Sequence, residues 1–113
     1  MSKFLISFPS SAFNVPEDEF QDVVDASHAV VREAKDAGVW VFGGGIDDSI
    51  PPILVEADGA IARGTYPETV NMAGGYAIID VPSHEEATHW AAKLAKACRC
   101  PQELRVFHDD PEA

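Results

Sequence analysis

Basic residues are scarce in this chain. Eight lysines and arginines stand against 19 aspartates and glutamates, a formal charge of −11 at neutral pH. Such a surface repels phosphate backbones and no basic stripe offsets it, so direct nucleic-acid binding is excluded. Long apolar runs are missing too. The opening MSKFLISFP has one lysine and a short hydrophobic stretch. It lacks the apolar length and small-residue cleavage site of a secretory leader, and no window reaches the length of a membrane span. A cytoplasmic location without a membrane partner is expected. Cysteine is limited to Cys98 and Cys100, set so close that a mutual disulfide is sterically awkward; reduced thiols are expected. A zinc site joining them to His108 would lack the usual two-residue gap. With no repeat, low-complexity tract or long linker, residues 1-113 read as a single domain around one core.

What is present is clear periodicity. Residues 3 to 8, KFLISF, put Phe4, Ile6 and Phe8 on one face in strict alternation, a first strand ended by Pro9. From Pro16 to Ala37, Phe20, Val23, Val24, Ser27, Val31 and Ala34 form one stripe at helical spacing, with acids in the first turn and Gly38 where a C-terminal cap belongs. VWVFGG, from Val39, is β-branched and aromatic on both faces; Trp40 and Phe42 are expected on one side, Val39 and Val41 on the other. Asp58-Gly59, between alternating runs, predicts a two-residue hairpin turn within Ile53 to Arg63. Tyr76 to Val81 is a further buried strand. Ser83 and Glu86 then have the spacing of a capping box at the start of a second helix, and ELRVF, 103 to 107, closes the chain as a strand.

The order is strand, helix, strand, hairpin, strand, helix, strand. This is an α+β class, the ferredoxin-like βαββαβ plan with an added hairpin. Two helices cover one face of such a sheet, yet the long strands carry apolar side chains on both. The expected cover for the other face is a second copy, giving a symmetric homodimer whose sheets close toward a dimeric α/β barrel.

The helix SHEEATHWAAKLAKA holds two histidines around a glutamate pair, superficially a zinc-protease signature. That chemistry needs histidines four apart, so that one helix face presents both to one ion. His84 and His89 are five apart, rotated by roughly 140° from one another. The core stripe is Ala87, Trp90, Ala91, Leu94 and Cys98, while His89 aligns with Glu85 and Lys93 as a ladder on the wet side. No metal is implied. FGGGIDD offers glycines after a strand, but its phosphate-binding fingerprint is incomplete and Asp47 and Asp48 occupy the place of an anion. It reads as a strand exit, and no cofactor is implied.

Other residues keep a functional reading open. Ser27 interrupts the apolar stripe of the first helix, either to bond back to a helix carbonyl or to line a pocket between helix and sheet. His28, at the border of that stripe, is either a surface residue or a proton-transfer group beside such a pocket. The loop ARGTYPETVNMAGG concentrates Arg63, Tyr66, Glu68 and Asn71, a placement suited to ligand contacts. Arg63 could hold a carboxylate and Glu68 could act as a base, or the two could simply pair.

Three blocks, REAKDAGVWVFGGGI, ADGAIARGTYPET and AGGYAIIDVPSHEEATHWAAKLAKA, resemble the YCII-related family, in the branch named for an Asp-Gly-Pro-Phe motif. The resemblance implies a ferredoxin-like dimeric α+β barrel. Some relatives act as small-molecule lyases or dehydrochlorinases, and some accompany transcription sigma factors. The name motif falls on RGTY, with Arg63 in the place of the aspartate, Gly64 kept, Thr65 for proline and Tyr66 for phenylalanine; Glu68 and Thr69 match the Glu-Thr that follows. The family's helix histidine falls on Ser27, with His28 one place off. Both members of the His/Asp acid–base pair that the resemblance implies are thus replaced or shifted.

The first functional expectation is a homodimer binding a small carboxylated or phenolic molecule between the first helix, the 63 to 71 loop and the sheet, with lyase- or isomerase-like proton transfer. His28, Glu68 and Tyr66 are the candidate catalytic residues, and Ser27, Arg63 and Asn71 the candidate substrate contacts. The rival is a non-catalytic dimeric interaction or regulatory module.

Overall fold

The computed structural model describes residues 1–113. The main elements are β1 (Ser2–Pro9), α1 (Phe20–Asp36), β2 (Trp40–Gly45), β3 (Ile53–Val55), β4 (Ile61–Arg63), β5 (Gly74–Val81), α2 (His84–Cys98) and β6 (Glu103–Val106). Four strands form one antiparallel sheet in the order β2-β5-β1-β6. This is the ferredoxin-like arrangement the element order predicts, with the β3–β4 hairpin as a separate two-stranded ribbon. No helix is long and apolar enough to cross a membrane.

Both helices pack on one face of the sheet. Phe4 and Ile6 of β1 and Ala77, Ile79 and Val81 of β5 point toward them and meet Ala34, Ala87, Trp90, Ala91 and Leu94. Ile6, Ile79 and Val81 are essentially inaccessible, each burial stabilising the fold by about 1.5–3 kcal/mol. The second helix follows its sequence pattern closely: Ala87, Trp90, Ala91, Leu94 and Cys98 are all buried.

The helix ends are fixed by local chemistry. Gly38, at φ +75°, follows α1 in a Schellman motif: its N–H donates to Lys35 O and the Val39 N–H to Ala34 O, each at 3.0 Å. At the start of α2 the Ser83 hydroxyl accepts the Glu86 N–H at 3.1 Å. Only this half of the capping box is made.

Four local expectations need correction. Trp40 pairs with Ile79 and Phe42 with Ile78 across a β-bulge, so the two aromatic rings lie on opposite faces of the sheet. The extra residue in β2 reverses the alternation that the sequence alone implies. Asp58-Gly59 does not form a two-residue loop. The Gly59 N–H donates to Glu56 O and the Glu56 N–H to Ala60 O, a three-residue connection in which Gly59 takes φ +89°. Along α1 only Val23 and Ala34 of the predicted stripe are buried, and Phe20 is half exposed, because the helix stands away from the glycine-rich ends of β2 and β5. Finally, Lys93 leaves its ladder: its ammonium meets Glu33 Oε1 of α1 at 2.6 Å and lies 5.7 Å from the Trp90 ring.

Candidate functional site

The site arises where side chains are missing. β2 ends in Gly43-Gly44-Gly45 and β5 begins with Gly74-Gly75, and Gly45 pairs with Gly75. Opposite these bare strands α1 presents the face Val24, Ser27, His28, Val31 and Lys35, whose spacing of three and four keeps them together on one side of a helix. The glycines raise no side chains toward the helix, and the rings of Phe8 and Trp40 lie flat over Gly75 and Gly43, so a cleft remains beneath α1.

The cleft has two recesses, of about 460 and 580 Å³. Phe8, Ser27, Gly45, Gly75 and Cys98 line both, which makes them neighbouring lobes of one space. The first lobe carries the polar groups, His28, Lys35 and Gln102, over Trp40 and Ile6. Phe8, Phe13 and Phe20 line the second, with Asp48 at its edge. These three rings are in sequence contact, Phe8 stacked on Phe13 at 6.0 Å and Phe13 edge-on to Phe20 at 6.1 Å. An apolar wall with a few converging polar groups suits a small aromatic molecule with one anionic or hydrogen-bonding end.

Ser27 meets both of its alternatives: the hydroxyl donates to Val24 O at 2.9 Å, and the residue lines both lobes. His28 lines the polar lobe. Arg63, Tyr66 and Glu68 do not line the cleft. Arg63 lies on the hairpin, Tyr66 and Glu68 are exposed beyond it, and Arg63 forms no salt bridge with Glu68. Asn71 lines a separate recess on the opposite side of the sheet with Leu5, Ser7 and Tyr76. The candidate residues therefore fall into a helix pair that shares one cleft and a loop group that stands apart from it.

Lys35, Gln102, Cys98 and the phenylalanines were not legible as site residues. Lys35 carries a usable signal, since it lies two turns beyond His28 on the same helix face. Burial pushes the Cys98 thiol above its ordinary range, with Cys100 nearby adding to the effect. Asp47 behaves as a strand-exit residue: its Oδ1 accepts both the hydroxyl of Ser49 at 2.6 Å and its N–H at 3.0 Å, which holds the carboxyl below its usual range. The two α2 histidines diverge, His84 edge-on to Phe4 and His89 beside Trp90.

A small α+β domain of ferredoxin-like plan, with a cleft between its first helix and its sheet, is the class these features define. The chain belongs to the YCII-related family, whose domain model matches residues 7–98. No curated protein matches the sequence. Among solved structures it is similar to the 5-chloro-2-hydroxyhydroquinone dehydrochlorinase of Burkholderia phenoliruptrix in complex with 2,5-dihydroxybenzoquinone, at 15% identity over 97% of each chain and a TM-score of 0.49.

Proposed function

We propose that the chain binds a small carboxylated or phenolic aromatic molecule in the α1–sheet cleft, and that its chemistry there is proton transfer. The supporting observation is the pairing of a phenylalanine-walled lobe with a lobe holding His28 and Lys35. A planar ring fills the phenylalanine-walled lobe and its anionic end meets the Lys35 ammonium in the other. Lys35 supplies charge, and the imidazole of His28 can accept a proton and return it, as lyase- and isomerase-type reactions require. The run Arg63-Gly64-Thr65-Tyr66, followed by Glu68 and Thr69, supports reading the chain as an altered member of the Asp-Gly-Pro-Phe branch, with the acid–base work moved to the helix side.

The test is a thermal-shift titration with benzoate and 4-hydroxybenzoate at millimolar concentration. Stabilisation should grow with the logarithm of ligand concentration above the dissociation constant, and should be lost in Lys35→Ala and in His28→Ala. No shift with either compound, or a shift retained in both variants, removes this assignment.

We also propose that the chain works as a homodimer, its two sheets packed through the faces the helices leave bare. The apolar row Phe42, Ile78 and Leu5, adjacent by strand register, supports that pairing.

A further inference from the structure

The β3–β4 hairpin is poorly accounted for by its own chain. It pairs only with itself and packs on no other helix or strand to any extent. A lone two-stranded ribbon is marginal in water without a partner surface. Strand register puts Ile53, Val55, Ile61 and Arg63 on one side of it. The three aliphatic residues are 54%, 65% and 69% exposed.

The whole molecule carries the same mark. Its radius of gyration is 15.8 Å, where a compact domain of this length has about 13 Å. Its accessible surface is 8074 Å², where a monomer of this mass exposes about 6,100 Å². The excess, about 2,000 Å² per chain, falls in the range that obligate dimers bury on each side.

The bare sheet face supplies a matching surface. Phe42, Ile78 and Leu5 run across three strands, with Phe42 63% exposed. At the end of β5, Asp80 is left half satisfied: Oδ1 is buried without a hydrogen-bond partner, and Oδ2 meets Lys3 only at 3.8 Å. The side chain remains 31% exposed, so the carboxylate has an open edge. Arg63, across from Ile53 on the hairpin, has no ion pair in its own chain.

We propose that the hairpin is an arm exchanged between two copies: Ile53, Val55 and Ile61 of each lie on the Phe42–Ile78–Leu5 row of the other, and Arg63 of each pairs with Asp80 of the other. This rests on the face-to-face homodimer proposed above and gives it a specific contact. A two-fold axis crossing the strands makes the β5 strands of the two copies antiparallel. The Asp80 end of one then lies over the Gly74 end of the other, the end at which the hairpin is attached. Such an interface is self-complementary, as a two-fold requires.

The experiment uses the full chain. Light scattering at micromolar concentration should report a dimer. Arg63→Glu, at a residue exposed in the single chain, should raise its dissociation constant on the order of a thousandfold, about thirtyfold for each of the two symmetry-related charge pairs it breaks. The double variant Arg63→Cys with Asp80→Cys, oxidised under mild conditions, should run as a covalent dimer on a non-reducing gel while each single variant does not. A wild-type monomer overturns both the dimer and the arm. A wild-type dimer whose stability is unchanged by Arg63→Glu and whose double-cysteine variant does not cross-link overturns the arm alone. Ligand binding is read separately through His28 and Lys35.

Discussion

The ring of Phe8 lies across Gly75 so closely that a Cβ on that glycine would stand 2.6 Å from ring atom Cε1 and 2.7 Å from Cζ. The same ring lines both lobes of the cleft. Gly75 is therefore a packing requirement of the site, since only a residue without a side chain lets an aromatic wall lie flat on the sheet. Gly75→Ala must turn the ring into the cleft or push the strands apart. The expected cost is about 1–3 kcal/mol, read from urea unfolding, with loss of the thermal shift produced by benzoate. Adding Phe8→Ala removes the clash, so the double variant should be less destabilised than the sum of the singles. Simple additivity would show that the two residues do not compete for the same space.

Gly38→Ala isolates a backbone effect. Nothing lies within 4 Å of a Cβ built there, so the methyl group meets no neighbour, and the cost comes from holding alanine at φ +75°. A loss of about 1–2 kcal/mol is expected, with Gly38→Asn less harmful because asparagine tolerates that region better. Equal losses for the two variants in a denaturant titration would point to something other than backbone conformation.

These two glycines also mark how far the sequence could be read. Gly38 is legible because a helical stripe ends just before it, so its role as a stop is local. Gly43 to Gly45 and Gly74-Gly75 are visible in the sequence but ambiguous. They become a cleft floor only when the register pairs Gly45 with Gly75 and brings both beneath α1. The architecture was legible because alternation in β1 and β5 and the stripe of α2 are both local periods. The bulge at Val41 was not, since one inserted residue leaves composition unchanged and turns Phe42 to the other face. In the same way Ser27 and His28 could be placed beside a pocket from one helix alone. Excluding Arg63, Tyr66 and Glu68 from that cleft required knowing that the hairpin stands off from the sheet.

The contact between Lys93 and Glu33, at 2.6 Å, joins α2 to α1 but should contribute little. Both side chains are partly solvated, at 31% and 53% exposure, so water and salt screen the attraction and ordering the lysine opposes it. A double-mutant cycle with Lys93→Ala and Glu33→Ala should give a coupling below about 1 kcal/mol at low salt, shrinking at 1 M sodium chloride. Lys93→Ala alone should cost slightly more than the coupling, because the lysine also lies over Trp90. A coupling of several kcal/mol, insensitive to salt, would contradict this account.

The buried thiols set an alkaline limit on stability. Burial raises Cys98, with Cys100 adding to it, and burial likewise raises Cys100, partly offset by its contact with Gln102. In the unfolded chain both thiols return to their ordinary range and ionise first as the pH climbs. The unfolded state then binds fewer protons than the native state, and stability falls with rising pH. Their contribution is thus intact below the ordinary thiol pKa and declines as the pH rises through it toward the folded values, by at most about 1.4 kcal/mol per pH unit for each thiol. Other groups titrate in the same window, so the useful quantity is the difference in unfolding free energy between the wild type and Cys98→Ala with Cys100→Ala. That difference should be flat from pH 6 to 8 and should move against the wild type above about pH 9. Iodoacetamide should correspondingly label the native protein far more slowly than the urea-unfolded one at pH 8, because the thiolate is the reactive form. A stability difference that stays constant through pH 10, together with rapid native labelling, would mean that both sulfurs are ionised and accessible in the fold.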